Sequence, residues 1–168
     1  MRLDKTDRTK LPYRKNCEGY FIDRDRNILA REMNGVLVFP GGGVDDGEDA
    51  EKAVIRETFE ETRAILENLR KIGELKFIWG QTWAKTEKQK IRYTQYKGED
   101  MHFFAGEITG FGDSEPGKRE EDFWDGKNLI PISEAIRIIE LGKPFDDEIK
   151  EYREMQLKFL RKIQNGEI

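Results

Sequence analysis

The sequence predicts an α/β (α+β) fold in which a mixed β-sheet lies between helices. Segments typical of strands occur on both sides of a central helix-length segment at about residues 49–62, and two amphipathic helices follow in the C-terminal third. The 168 residues are enough for one domain with a hydrophobic core, and too few for two ordinary domains. We therefore expect residues 1–168 to form a single domain with a C-terminal helix at about 145–163.

The predicted strands are bounded by glycine, proline and charged turn residues. A polar, mostly basic connector at 84–100 separates the last two of them and could itself pair as a hairpin. The strands are expected at 17–23 ("CEGYFID"), 28–32 ("ILARE"), 35–39 ("GVLVF"), 71–83 and 101–108.

The C-terminal third has helical spacing. Ser133 is a plausible N-cap for "EAIRIIEL", because a serine hydroxyl can accept a hydrogen bond from the first turn. The last helix has an apolar stripe with helical spacing. Its members are Ile149, Tyr152, Gln156, Phe159, Leu160 and Ile163.

Composition narrows the class of function. A net charge of -4 argues against bulk electrostatic binding to nucleic acid. Cys17 is the only cysteine, so the chain cannot form an internal disulfide. The first ten residues are polar and charged, and no stretch reaches membrane-spanning length, so we expect a cytoplasmic protein.

Three glutamates share one face of the predicted central helix. At about 100° per residue, Glu57, Glu60 and Glu61 lie within roughly one third of the circumference. The helix alone favours an ordinary solvated acidic face, with Ile55 and Phe59 as an alternative buried pair on the opposite side.

The residues before this helix change that interpretation. Gly42 is followed after five residues by Glu48, and after seven more by "RETFEE" at 56–61. This order of glycine, glutamate, Arg-Glu and Glu-Glu resembles the signature of the Nudix hydrolases. The resemblance is specific over about 23 residues and extends more loosely over about residues 17–141. It implies a Nudix-type α/β/α sandwich.

The resemblance implies a hydrolase that cleaves the diphosphate linkage between a nucleoside and another group. The implied cofactor is Mg²⁺, with Mn²⁺ as an alternative, and hard carboxylate oxygens suit such an ion. Glu57, Glu60 and Glu61 match the metal-binding glutamates, and Gly41 matches a position whose carbonyl is often a ligand. Glu57 and Glu60 also match the positions tied to the attacking water.

Other roles follow from the same resemblance. Gly42, Glu48 and Arg56 match structural positions, the last two as an ion pair between the loop and the helix. A further catalytic carboxylate is expected beyond the central helix, and "PGKREEDFWDG" offers Glu120, Glu121 and Asp122. We favour Glu120, although a solvated acidic loop explains each of the three equally well.

Substrate-binding residues are less sharply marked. Arg31 could meet a phosphate, and a surface salt bridge explains it equally well. Arg92 lies in the basic connector, where lysines and aromatic residues could grip phosphates and stack a base. A solvated hairpin with its aromatic residues packed inward is the more frequent arrangement. His102, the only histidine, is interpreted as a structural residue.

One position departs from the Nudix signature. Arg63 stands where the family has a glycine that ends the helix, commonly in a left-handed conformation. An ordinary residue pays about 1 kcal/mol more than glycine there. The helix end is therefore built differently, or the strain is absorbed.

The substrate stays open between a nucleoside triphosphate, a nucleotide sugar and another nucleoside diphosphate derivative. Gly80, Gln81 and Thr82 stand where relatives that take ADP-ribose or dinucleoside polyphosphates have a proline or tyrosine marker. The alternative function is a catalytically silent Nudix-like module that binds a nucleotide and regulates a partner. Dimers are common in the family, so the resemblance allows a homodimer.

Overall fold

The computed structural model describes residues 7–33, 36–113, 124, 128–142 and 150–168. After a short 3-10 helix at Arg8–Lys10, the elements are strands and helices in alternating groups. The strands are β1 Tyr13–Ile22, β2 Asn27–Leu29, β3 Arg31–Met33, β4 Val36–Val38, β5 Gly41–Gly43, β6 Ala64–Ile78, β7 Gly98–Phe111 and β8 Leu129–Pro131. The helices are α1 Ala50–Thr62, α2 Glu87–Gln95, α3 Ile132–Leu141 and α4 Lys150–Gln164.

The described strands form a mixed sheet around β1. The order is β6-β7-β1-β2-β8, and β5 also pairs with β1. β1 and β7 run parallel, with Tyr13 opposite Gly98 and Ile22 opposite Glu107, whereas the other pairs are antiparallel. β3 and β4 form a separate two-stranded sheet. The mixed sheet that the sequence predicts is therefore confirmed.

Helices cover both faces of this sheet. Successive side chains of β1 point to opposite sides, so the strand packs against a different helix on each face. Cys17 and Phe21 pack with Ala53 and Val54 of α1 in one hydrophobic cluster. Tyr20, between them in the strand, packs with Phe159 of α4 in a second cluster. The sheet thus lies between α1 on one face and α4 on the other, as the predicted fold class requires.

The basic connector corrects one prediction. It does not pair as a hairpin; residues 87–95 form α2. Thr86 is the N-cap, accepting from the Gln89 N–H, and the Gln89 side chain accepts from the Thr86 N–H in return. This reciprocal capping box stabilises a helix start, and the segment contains no glycine or proline to interrupt the helix.

The predicted start of one C-terminal helix differs from the structure, and that of the other cannot be compared. α3 begins at Ile132 with Pro131 as its N-cap, so the prediction of Ser133 as the cap is wrong. β8 ends at Pro131 and α3 starts at the next residue, so Ser133 lies inside the first turn of the helix. α4 is described from Lys150, and the predicted start at 145–149 lies outside the described residues. In the described residues, no helix is long and apolar enough to cross a membrane.

Candidate active site

The orientation of α1 places its glutamates at the edge of the sheet. Asp49 caps the helix by accepting from the Lys52 N–H at 2.9 Å. Ala53 and Val54 are fully buried against the sheet, while Ile55 and Phe59 are 45% and 37% exposed. The alternative in which Ile55 and Phe59 form the buried face is therefore wrong. The buried stripe of the helix continues into the glutamates of its last turns.

Arg56 is the centre of an ion-pair cluster. Its Nε and Nη2 lie 3.0 Å from the two carboxylate oxygens of Glu48, a bidentate geometry that fixes both groups. Its Nη1 lies 3.0 Å from Glu57 Oε1 and 3.4 Å from Glu60 Oε2, and its Nη2 also donates to the Gly43 carbonyl at 3.3 Å. The guanidinium therefore ties the loop before the helix to two of its carboxylates.

β5 brings its glycine backbone against the same carboxylates. The Gly41 N–H donates to Glu61 Oε1 at 2.9 Å. A Cβ added to Gly41 would lie 2.1 Å from the Cys17 carbonyl oxygen, and one added to Gly42 would lie 2.7 Å from the Glu57 carboxylate carbon. Only glycine permits the strand to approach both β1 and α1 so closely.

The carboxylates of this cluster are poorly compensated. Burial raises the pKa of Glu61 to about 8, partly offset by the hydrogen bond from Gly41, and the nearby charge of Glu57 raises it further. Burial also raises the pKa of Glu57, against the opposing effect of Arg56. Such a site gains free energy from additional positive charge. This electrostatic character fits a bound cation.

The donor chemistry at this edge fits a divalent metal ion of the Mg²⁺ class, which takes oxygen ligands and keeps several waters. As the side chains stand, however, no three His, Cys, Asp or Glu residues within the described parts of the chain are grouped as a metal site. Arg56 contacts both Glu57 and Glu60. Arg56 contacts only one oxygen of each carboxylate, so a shared ion would require the side chains to bring their remaining oxygens together.

Arg31 lies beside Glu61. Its guanidinium carbon is 5.3 Å from the centre of the buried Trp124 ring, and the Trp124 N–H donates to the Glu61 carbonyl at 2.9 Å. Both the Trp124 side chain and the charge of Arg31 lower the pKa of Glu61. Arg31 is thus close enough to the carboxylate cluster to interact with it electrostatically.

A family model decides the relationship of this chain to known proteins. The model described as the NUDIX domain matches residues 19–152. The chain belongs to the Nudix hydrolase family. The match contains every residue of the Arg56 cluster, so the resemblance predicted from the spacing of "RETFEE" is confirmed.

Two curated Nudix relatives are named RNA pyrophosphohydrolase. The protein from Sphingopyxis alaskensis is 44% identical over 147 residues, which cover 77% of this chain and 87% of that protein. The protein from Rhodopseudomonas palustris is 28% identical over 163 residues, which cover 86% of this chain and 94% of that protein.

Solved Nudix structures share the fold. A NUDIX hydrolase from Nitrosomonas europaea superposes with a TM-score of 0.55 at 16% identity, covering 90% of each chain. A structure from work on MutT of Aliivibrio salmonicida and Vibrio cholerae superposes with a TM-score of 0.51 at 15% identity, covering 86% of this chain and 96% of that one. The predicted Nudix-type fold is therefore confirmed.

The departure from the Nudix signature is absorbed without a change of helix end. Arg63 takes a left-handed conformation, with φ of 64°, and its N–H donates to the Phe59 carbonyl at 2.9 Å. Its side chain is only 3% exposed, and the guanidinium carbon lies 4.8 Å from the centre of the Phe59 ring. Side-chain packing offsets the backbone strain that a glycine would avoid.

Some predicted site residues lie elsewhere or cannot be placed. Arg92 is in α2, where its charged neighbours are Arg14 and Glu99 rather than the central glutamates. His102 is 8% exposed, with Nδ1 3.2 Å from Glu74, which agrees with its structural interpretation. The predicted carboxylate Glu120 lies outside the described residues, as do Glu121 and Asp122.

Sequence reasoning missed a polar group on the α4 side of the sheet. Asn16 and Glu18 of β1 share this face with Glu99 of β7 and Trp79, and all four line one pocket. Two features were available: Glu18 follows Cys17 in the strand predicted at 17–23, with Asn16 just before it, and a carboxylate at a buried strand position requires partners. The partners could not be named without the register of β1 and β7.

Proposed function

We propose that this Nudix hydrolase is a Mg²⁺-dependent pyrophosphohydrolase that cleaves the diphosphate linkage of a nucleoside 5′-polyphosphate. The supporting observation is the carboxylate cluster at the sheet edge: Arg56 contacts Glu57 and Glu60, while Glu57 and Glu61 meet the glycine strand. Water attack at phosphorus in such a site needs a cation, a proton acceptor and a backbone that approaches the phosphates closely.

The metal would be held by the carboxylates of Glu57, Glu60 and Glu61, with the carbonyl of Gly41 as a further oxygen ligand. When bound, Mg²⁺ or Mn²⁺ neutralises diphosphate charge and lowers the pKa of a coordinated water. This assignment agrees with the buried, mutually repelling carboxylates described above. It also explains why an acidic cluster of this kind is compatible with an anionic substrate.

The protein's own residues have separate tasks in this proposal. Glu57 and Glu60 are candidates for the proton acceptor, because both lie at the open end of the cluster, with side chains 21% and 43% exposed. Arg56 holds them in position through its bonds to Glu48 and Gly43. Arg31, beside Glu61, is proposed to contact a substrate phosphate.

Two forms of the substrate are proposed for testing. The names of the two curated relatives support the 5′-polyphosphate end of an RNA, and a free nucleoside triphosphate presents the same linkage. The net charge of -4 favours local contacts near the linkage over a long nucleic-acid track. The expectations of one domain, a cytoplasmic location and a homodimer rest on the sequence and stay predictions.

The deciding experiment compares wild type with Glu60→Gln and with Glu51→Gln, an exposed glutamate in the first turn of the same helix. Substrates are nucleoside triphosphates, nucleotide sugars, ADP-ribose, dinucleoside polyphosphates and short 5′-triphosphorylated RNAs, each with Mg²⁺, with Mn²⁺ and with EDTA. We expect turnover only with metal, a loss of at least about a hundredfold in kcat for Glu60→Gln, and no loss for the control.

Two results would contradict this proposal. If Glu60→Gln matches wild type, the carboxylate cluster does not carry the chemistry. If a nucleotide binds but none is turned over, the protein is the silent binding module that the sequence leaves as the alternative. For any substrate that is turned over, detection of phosphate and pyrophosphate identifies which anhydride bond is cleaved.

A further inference from the structure

A pocket of about 320 Å³ opens on the α4 face of the sheet, within the range of about 300–1,000 Å³ that ligand pockets occupy. It borders Gly41 and Gly42, so it is continuous with the glycine strand of the candidate active site. Its polar lining comes from Asn16, Glu18 and Glu99. The pocket therefore lies where the nucleoside part of a substrate would extend from the reacting phosphates.

Two polar side chains form a fixed pair in this pocket. Asn16 Nδ2 donates to Glu99 Oε2 at 2.8 Å, while Asn16 Oδ1 accepts from the Cys17 N–H at 2.9 Å, which sets the orientation of the amide. An amide nitrogen has a second hydrogen, and a carboxylate accepts about four hydrogen bonds. Asn16 and Glu99 thus offer a donor next to an acceptor on one side of the pocket.

Trp79 supplies a second donor. Its ring is 3% exposed, and its indole Nε1 has no hydrogen-bond partner among the described residues. A buried N–H without an acceptor is costly, which is why such groups in proteins are nearly always paired. Trp83 stacks on Trp79 with ring centres 3.7 Å apart and planes 3° apart, giving the pocket a rigid aromatic wall.

The two carboxylates of the pocket differ in how many hydrogen bonds they already accept within the protein. Glu18 accepts hydrogen bonds from the Tyr20 and Tyr152 hydroxyls and is therefore occupied within the protein. Glu99 is 9% exposed and accepts from Asn16, with Arg14 Nη1 3.8 Å away. Glu99 is the acceptor that a ligand can share, and a buried carboxylate selects a ligand with donors.

Guanine is the base whose edge matches this set. It has two adjacent donors, N1–H and N2–H, for a carboxylate, and O6 and N7 as acceptors for N–H groups. Adenine would place the lone pair of N1 against the carboxylate, and uracil has a single ring N–H between two carbonyls. Among these bases, guanine leaves Glu99 with two partners instead of one.

We propose that this pocket binds a guanine base, with Glu99 accepting from N1–H and N2–H and with Asn16 and Trp79 donating to its acceptors. The proposal deepens the proposed function and rests on it for the identity of the substrate as a nucleotide. Aromatic rings at the pocket wall add stacking to the hydrogen bonds. Glu99 is then the residue that determines base specificity.

Arg14 connects the pocket to the glycine strand. Its guanidinium lies near Glu99, and its Nη2 is 2.6 Å from the position a Cβ on Gly43 would take. Arg92 lies close to both residues: the charge of Arg14 lowers the pKa of Arg92, and the charge of Glu99 raises it. Two cations therefore lie near Glu99, and one of them, Arg14, also reaches Gly43, where it could meet the sugar-phosphate of a bound nucleotide.

The test measures binding without hydrolysis. GMP, AMP and UMP are titrated by isothermal calorimetry in EDTA against wild type, Glu99→Gln, Trp79→Phe and the control Glu107→Gln, an exposed glutamate of the same strand. We expect wild type and control to bind GMP at least about tenfold more tightly than AMP or UMP. Glu99→Gln removes most of this preference, and Trp79→Phe weakens GMP binding about threefold or more.

The outcomes separate this inference from the proposed function. No measurable GMP binding, equal affinities for GMP and AMP in wild type, or an unchanged preference in Glu99→Gln would overturn it, and unchanged GMP affinity in Trp79→Phe would remove Trp79 from the site. Thermal melts of each variant exclude loss of folding, and the near-isosteric Glu99→Gln keeps an acceptor for Asn16. A guanine preference without hydrolysis of any substrate would contradict the proposed function and leave the base-binding inference intact. A short RNA beginning with 5′-phosphorylated guanosine, compared with GMP, identifies which guanine source binds more tightly.

Discussion

Gly42 and Glu57 are in such close contact that a methyl group on Gly42 would lie 2.7 Å from the Glu57 carboxylate carbon. Gly42→Ala must therefore displace Glu57 or the glycine strand. Because a misplacement of about 1 Å can cost about a hundredfold in rate, we expect kcat to fall at least about tenfold. Steady-state kinetics measure this, with Gly110→Ala as the control, since a Cβ there meets nothing within 4 Å. Equal loss in both variants would assign the effect to general backbone sensitivity.

Arg56→Lys tests the cluster that positions the glutamates. A lysine keeps the charge but cannot make two parallel bonds to Glu48 while also contacting Glu57. We expect kcat to fall about tenfold with a smaller change in KM. The exposed Arg70 gives the matched control, Arg70→Lys. Unchanged kcat in Arg56→Lys would show that a single positive charge is sufficient there.

The left-handed Arg63 predicts an order of stability among its variants. Arg63→Ala and Arg63→Gly both remove the side chain packed on Phe59, but only glycine relieves the strain of a φ of 64°. We expect the glycine variant to be about 1 kcal/mol more stable than the alanine variant, and the alanine variant to be less stable than wild type. Urea denaturation gives these free energies. Equal stability of the two variants would mean that the helix end relaxes to another conformation.

Glu18 predicts a pH dependence of stability. Burial raises its pKa from an ordinary value of 4.5 to about 7, partly offset by hydrogen bonds from Tyr152 and Tyr20. The folded state therefore holds this proton more tightly than the unfolded state. The resulting stability is fully present below pH 4.5 and is lost as the pH rises to about 7, on the order of 3 kcal/mol in total.

Glu18→Gln removes this titration and keeps an acceptor for Tyr20. The free energy of unfolding of the variant, relative to wild type, should rise between about pH 4.5 and 7 and level off above that range. Denaturant titrations in EDTA at several pH values measure it, with the exposed Glu151→Gln as control. A difference that stays flat across the range would mean that Glu18 titrates normally.

The helix with the glutamates was predictable because its signals are local. Asp49 is a good N-cap, Ala53 and Val54 have helical spacing to the glutamates, and no glycine or proline interrupts the segment. The family signature adds the loop residues Glu48 and Gly42 at fixed distances along the chain. A motif of this kind can be recognised in a single sequence, because all of its contacts join residues that are within about 20 positions of each other in the chain.

Elements that depend on tertiary contacts were harder to predict. β6 begins at Ala64, directly after Arg63, because a left-handed residue turns the chain into the sheet. The family signature marks this position as a helix end, but an arginine there does not itself indicate such a turn. The base pocket depends on Asn16 meeting Glu99 across the parallel pairing of β1 and β7. The register of two distant strands is set by packing of the whole sheet and cannot be read from either strand alone.

The parallel pairing of β1 and β7 also constrains how the protein folds. β6 and β7 are antiparallel neighbours in the sheet. By contrast, Tyr13 of β1 pairs with Gly98, a residue far away in the sequence, so this pairing closes a long loop. The chain loses conformational entropy when so long a loop closes, before the contacts between the strands stabilise it, and this slows folding. On the ribosome, β1 and the glycine strand emerge well before their partner in β7. The edge of the sheet that carries the candidate site is therefore synthesised early and completed late.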